Sequence, residues 1–197
     1  MRTTRGEISL KTMRAMPIEE GERRLRGVLG LLVPDMYTSR IESVDLCELE
    51  KSGVEVLLLD LDNTLVPWGS DEMDGGVLHW LSGARKRFRV GLLSNALPKR
   101  VERWAEQLNL PAISRAAKPR RGGYRELLEE LDVSPERAAV VGDQLLTDVI
   151  GGNRMGMITV LVVPLSRREF IGTRLARLFE RIILSLLIRA GLTRKLD

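Results

Sequence analysis

Residues 54–59 read Val-Glu-Val-Leu-Leu-Leu, an apolar run that stops abruptly at Asp60 and Asp62. The run is short, β-branched at its start and Leu-rich after it, which suits a strand buried on both faces. Such a strand has few solvated positions, so polar groups at its carboxyl end are candidates for chemistry. In an open parallel sheet that end faces the crevice where ligands bind. Asp60 and Asp62 stand one strand period apart, so their side chains can point to the same side. Two close carboxylates repel unless a cation or a proton separates them. The pair therefore favours a Mg2+ site in which one carboxylate stays ionised and the other can carry a proton.

The rest of the chain alternates strand and helix signals. We expect a short edge strand over 41–44, a short helix over 46–51 ending at Gly53, and a loop rich in Gly and acid over 67–76. Helices follow over 77–87, 98–109, 122–131 and 146–155, with strands over 89–93, 112–114, 137–141 and 158–163. This order predicts an α/β fold, a parallel sheet with helices on both faces, as one domain over 34–165. The flanks differ in charge. Residues 1–33 carry seven basic and four acidic side chains and 166–197 carry eight and three, whereas 34–165 carry 16 and 20. A uniformly basic nucleic-acid-binding domain would not divide this way, so a nucleic-acid partner is not expected; a neutral or acidic catalytic core with anion-seeking extensions would. We expect 1–33 to be a basic extension with a short amphipathic helix over 20–33, and 166–197 to be a basic amphipathic helix.

Four predicted strand ends carry polar residues. They are Asp60-Leu61-Asp62-Asn63-Thr64, Ser94-Asn95, Lys118-Pro119, and Gly142-Asp143 followed by Asp148. In a parallel sheet these ends converge on one rim, which gathers carboxylates for a hard cation, hydroxyl and amide donors, and a lysine for an anion. His79 and Cys47 are the only residues of their types. Zinc sites needing several His or Cys ligands, a Ser-His-Asp triad and an intrachain disulfide are thereby disfavoured or excluded. His79 is expected to be a helix-surface or packed residue without a chemical role.

The four motifs, in this order, resemble the haloacid dehalogenase (HAD) superfamily of phosphotransferases. A closer likeness, through DLDNTLVPW, SNA, AKP and VGDQLLTDVIGGNRMG over roughly residues 31–165, resembles the YqeG-like HAD phosphatases of subclass IIIA, a group that includes the phosphatidylglycerophosphatase of mitochondria. The resemblance implies a Rossmann-like sheet and a Mg2+ cofactor. It implies Asp60 as nucleophile, Asp62 as general acid and base, and Asn63, Thr64, Ser94, Asn95 and Lys118 around the phosphoryl group. It places the metal among Asp60, the Asp62 carbonyl, Asp143 and Asp148, with Asp148 holding a metal-bound water or Lys118 rather than the ion itself. No separate lid domain fits between the motifs, so the implied site is open, with Trp68 and its loop as a small flap.

The implied activity is a Mg2+-dependent phosphomonoesterase, with phosphatidylglycerophosphate as the leading substrate. A phosphatase of nucleotides or RNA ends is the enzymatic alternative, and a partner-binding module on the same fold the non-enzymatic one. Residues 175–190 place Leu175, Phe179, Ile182, Ile183, Leu186 and Ala190 on one helical face, with Arg174, Arg177, Arg181 and Arg189 opposite. Either the helix docks on the sheet domain, or it lies in the plane of an anionic membrane with its arginines at lipid phosphates. The first sixteen residues lack an apolar stretch, so no secretory signal is expected; the cytoplasm is the expected compartment, with peripheral contact at the inner face of the membrane.

Overall fold

The computed structural model describes Gly27, residues 30–166 and residues 171–193, without the side chains of 171–177. The helix expected over 20–33 falls largely outside these residues, as do the side chains of Arg174, Leu175 and Arg177. Six strands make one sheet: β1 (Met36–Thr38), β2 (Val56–Leu59), β3 (Arg89–Leu93), β4 (Ala112–Ile113), β5 (Ala138–Gly142) and β6 (Ile158–Val162). Every pairing is parallel, in the order β1-β6-β5-β2-β3-β4. The helices are α1 (Leu46–Lys51), α2 (Gly75–Arg85), α3 (Pro98–Leu108), α4 (Arg121–Glu130), α5 (Ile150–Met155) and α6 (Ile171–Arg189).

β2 lies between β3 and β5, and all four of its residues are buried. Its pleat sends Leu57 and Leu59 into one core with Val77, Trp80 and Leu81 of α2 and Val101 and Trp104 of α3. Val56 and Leu58 enter the other core, with Tyr124, Leu127 and Leu128 of α4. Two-sided burial is what the unbroken apolar run requires, since an alternating strand would leave one face to water. From β2 the chain winds outward to β3 and β4, then returns past β2 to β5 and winds the other way. The order of strands therefore reverses between β2 and β5, and the crevice above that point is where an open α/β sheet binds ligands.

The edge of the sheet departs from expectation. The strand expected over 41–44 is a 3-10 turn, Ile41–Ser43, and the edge strand is β1, just upstream. Ile41 and Val44 are both buried, and a spacing of three residues brings them to one side of a tight turn rather than of a strand. Asp35 fastens β1 to its neighbour by accepting from Thr159 N at 2.9 Å.

The segment expected as one helix over 146–155 is two structures. Leu145–Val149 winds as a π-helical turn, and α5 follows it directly. Gly151 and Gly152, inside α5, are packing positions. A Cβ on Gly151 would lie 2.2 Å from the Tyr124 hydroxyl oxygen, and one on Gly152 2.4 Å from Val140. The close approach seats α5 against α4 and the sheet.

α6 packs on the sheet domain, and of the apolar face named from the sequence only Ile183, among the described side chains, takes part. Glu180 and Leu187 are buried and Ile183 and Leu184 half-buried, with Ile183 and Leu184 packing on Leu145, Val149 and Leu161. Glu180 Oε1 accepts from Leu146 N at 2.8 Å, fixing the helix to the π-helical turn. Phe179, Ile182 and Leu186 form the neighbouring ridge and stay exposed, by 51–57%. Among the described residues no helix is long and apolar enough to cross a membrane.

Candidate active site

Asp60 follows β2 and Asp143 follows β5, so the two adjacent strands at the reversal point each end in a buried carboxylate. Asp60 N donates to Val141 O at 2.9 Å, which holds the two strand ends together two residues before Asp143. Asp148 arrives from the π-helical turn. Ligand oxygens of Asp60, Asp143 and Asp148 lie within 4.8 Å of one another. Gly142 admits this approach, because a Cβ there would sit 2.2 Å from the Asp148 carboxyl carbon.

Lys118 enters the group from the loop before α4, with its ammonium 2.6 Å from Asp60 Oδ1 and 2.6 Å from Asp148 Oδ1. Asp148 Oδ2 accepts from Gln144 N at 3.1 Å, so both Asp148 oxygens have partners. Asp60 Oδ2 receives the Thr64 hydroxyl at 3.4 Å. Burial pushes the Asp60 carboxyl up; Lys118 lowers it and Asp148 raises it, leaving it at about 6. Burial alone would push the Lys118 ammonium down, but Asp148 and Asp60 outweigh that and hold it above its ordinary value. The lysine is thus charged throughout the physiological range. Three carboxylates against one ammonium leave a net negative, all-oxygen donor set, which fits a hard divalent cation between Asp60 and Asp143.

The second and third motifs are one mechanical unit. Asn95 Oδ1 accepts from Lys118 N at 2.8 Å and Asn95 Nδ2 donates to Lys118 O at 3.2 Å, so the amide brackets the lysine backbone. Ser94 is buried at the end of β3; its carbonyl accepts from Ala116 N at 3.0 Å and its hydroxyl from Ala96 N at 3.3 Å. Neither residue caps α3, whose N-cap is Leu97. Asn63 has a left-handed backbone, φ 66°. Its N–H is engaged by Val66 O at 2.6 Å and its side chain accepts from Trp68 N at 3.1 Å, so it shapes the turn after β2.

Asp62 points elsewhere. Its Oδ1 lies 2.8 Å from Arg100 Nε and 2.7 Å from Arg100 Nη2, on the first turn of α3. The side-chain carboxylates of Asp60, Asp143 and Asp148 come together, and that of Asp62 stands apart from them on an arginine.

A HAD-hydrolase-like family model matches residues 115–163. The chain is 36% identical over 160 residues to the probable phosphatase YqeG of Bacillus subtilis, covering 81% of this chain and 93% of that one. The chain belongs to the YqeG-like HAD phosphatases. It is also 33% identical over 165 residues to the chloroplastic phosphatidylglycerophosphate phosphatase 1 of Chlamydomonas reinhardtii, covering 78% of this chain and 61% of the relative. Among solved structures, a subfamily III A HAD hydrolase of Legionella pneumophila aligns at TM-score 0.43 and 20% identity, over 73% of this chain and 90% of that one.

Three residues of this HAD site gave no signal in the sequence. Arg100 is one of many arginines and lies between motifs. Glu180 reads as part of a polar helix face, yet it is buried on Leu146 N. Tyr124, fully buried, donates to Thr147 O at 3.1 Å beneath Asp148. Arg154 donates to Pro119 O at 3.2 Å, supporting the lysine loop, and His79 is exposed on α2.

The raised Asp60 carboxyl fixes a pH dependence. In cation-free protein the folded state holds this proton more tightly than the unfolded chain, whose carboxyl titrates at its ordinary 3.8. The stability contributed by this group therefore falls as pH rises from about 4 to about 6 and is level above that. A divalent cation competes with the proton for Asp60. We expect the rise in melting temperature on adding Mg2+ to be small at pH 5 and to grow through pH 6 to 7.5, in a thermal-shift titration. An equal rise at both ends would contradict cation binding at Asp60.

Proposed function

We propose that the protein is a Mg2+-dependent phosphomonoesterase working through an aspartyl-phosphate, with phosphatidylglycerophosphate at a membrane surface as substrate. The observation that carries the chemistry is the buried Asp60–Lys118–Asp148 array with Asp143 beside it. Asp60, with Thr64 on one oxygen and Lys118 on the other, attacks phosphorus to form the intermediate. Lys118 and the Ser94 hydroxyl hold phosphoryl oxygens, with backbone N–H groups nearby. Asp62 gives a proton to the leaving oxygen and later takes one from water. Asn63 and Asn95 serve the phosphate indirectly, by shaping the turn and holding the lysine. Asp60 and Asp143 would hold Mg2+, which when bound reduces the repulsion between phosphate and carboxylate.

Two features support a lipid substrate. The relatives named phosphatidylglycerophosphate phosphatase 1, from Chlamydomonas reinhardtii and Arabidopsis thaliana, align over 78% and 82% of this chain. A cavity of about 290 Å³ opens beside Asp143, walled by Leu161, Pro164, Glu180, Arg181 and Leu184. Its walls are mostly apolar, with Arg181 set among the carboxylates of Asp143 and Glu180, and suit an alcohol portion that is partly hydrocarbon. The wall is α6, whose outer ridge of Phe179, Ile182 and Leu186 remains in solvent beside Arg181 and Arg189. That combination suits peripheral contact with an anionic bilayer on the side where the site opens.

The test is a phosphate-release screen with Mg2+ over phosphatidylglycerophosphate in vesicles, nucleotides and sugar phosphates, with Phe179→Ser/Leu186→Ser as a second protein. We expect release from the lipid, abolished by chelator and by Asp143→Ala. The double variant should keep hydrolysis of p-nitrophenyl phosphate while losing most of its vesicle binding and lipid hydrolysis. Preferred release from a nucleotide or sugar phosphate would overturn the substrate. Equal activity of both proteins on vesicles would overturn the membrane contact.

A further inference from the structure

The Asp62–Arg100 pair is too enclosed and too connected for an ordinary surface ion pair. The two side chains are 18% and 23% exposed. Arg100 Nε and Nη2 converge on the same oxygen, Asp62 Oδ1, at 2.8 and 2.7 Å. The remaining terminal nitrogen, Nη1, donates to Ser70 O at 2.9 Å and lies 3.8 Å from Asp71, which Arg103 engages at 2.6 Å. One guanidinium therefore joins three parts of the site: the helix that starts after Ser94-Asn95, the second carboxylate of the first motif, and the 67–74 loop. Planar guanidinium donors fix direction as well as charge, which an ammonium on a flexible stem does not. Held at Oδ1 by the Nε hydrogen bond and the Nη2 ion pair, the carboxylate is restricted in rotation.

We propose that Arg100 is the positioning residue for Asp62, acting on proton transfer without touching the phosphoryl group. The proposal rests on the phosphatase reading above. It bears most on the second half of the reaction. There the oxygen of water bonds to phosphorus and the bond from phosphorus to Asp60 breaks, its electron pair returning to the Asp60 carboxylate. The proton released by the water goes to Asp62 Oδ2. An Asp62 without its guanidinium is free to rotate and meets that water in the right orientation less often. A misplaced catalytic group costs rate even when all reacting residues remain.

Rapid-quench kinetics of the full chain with Mg2+ and p-nitrophenyl phosphate test this. This ester's leaving group departs without needing a proton, so formation of the intermediate is spared and its hydrolysis is not. For Arg100→Ala we expect kcat to fall by about 10–100-fold, part of the ~10²–10⁴-fold that acid–base catalysis contributes. The steady-state fraction of phosphoenzyme should rise above that of the unmodified chain, and inhibition by vanadate should stay within about twofold. Arg100→Lys, which keeps the charge but not the fork, should recover part of the rate and carries the test if the alanine variant does not fold. A tenfold weaker vanadate inhibition without phosphoenzyme accumulation would instead make Arg100 a phosphate ligand and overturn the proposal, as would unchanged kcat. Asp62→Asn is the control: if it leaves turnover intact, the acid–base role of Asp62 fails and the proposal with it, whereas absence of Mg2+-dependent turnover by the unmodified chain would fail the phosphatase reading itself, independently of Arg100.

Discussion

Asp60→Asn is expected to eliminate turnover and phosphoenzyme formation while the fold survives. An amide is neither a nucleophile toward phosphorus nor a good ligand for a hard cation. Thr64 and Lys118 hold the Asp60 carboxylate on both oxygens, a setting the neighbouring carboxylates Asp148 and Asp62 do not share. Asp148 is engaged by Lys118 and Gln144 N, and Asp62 by Arg100. The amide is nearly isosteric, so the circular dichroism spectrum and melting temperature should change little. Removing a carboxyl whose ionisation is disfavoured by burial should, if anything, stabilise the cation-free protein above pH 6. Residual activity above about 1% in purified variant would remove Asp60 as nucleophile.

Lys118→Met should have the largest effect on stability. The lysine side chain is 2% exposed and serves two carboxylates that are themselves buried. Taking away one member of a buried ion cluster leaves uncompensated charge and costs about 3–5 kcal/mol. Urea denaturation in the absence of divalent cations should show that loss at pH 7.5. It should shrink toward pH 5, where the abandoned Asp60 carboxyl, raised by burial, can protonate. Pairing the change with Asp148→Asn removes one of the stranded charges, so the double variant should lose less than the sum of the two single changes. A loss below about 1 kcal/mol at pH 7.5 would mean that the cluster contributes to geometry alone.

What the sequence revealed of this fold and site depended on signal length and on distance along the chain. β2 was legible because four consecutive apolar residues between turn signals fit a strand buried on both faces, and the structure buries all four. β1 was not, because three residues at a sheet edge carry too few alternations to register. Instead Ile41, which packs through a single 3-10 turn, drew the assignment. The residues at strand ends could be named because their polarity breaks an apolar run. Arg100 could not, since its partner is 38 positions away and it stands next to Lys99 in a helix with further charged residues. The helix in 171–189 was visible, but periodicity singled out the more hydrophobic ridge and left open whether it docks or meets a membrane. Glu180 gave no such signal: one carboxylate on a backbone N–H, together with Leu187, directs a different face inward.

The π-helical turn at Leu145–Val149 makes the last motif a ruler. Five positions separate Asp143 from Asp148, and they are measured out along a turn wider than an α-helical one, with Val149 N reaching back to Gln144 O at 3.3 Å. Removing one residue would let the turn relax to α-helix and rotate everything after it by about 100°. Asp148 would leave Lys118, and the π-helical turn would no longer present Leu146 N to Glu180. Length change should therefore be tolerated very unevenly around this rim. The exposed 67–74 loop can gain or lose residues at modest cost, and a library of insertions scored for function should find survivors there and none between 143 and 148.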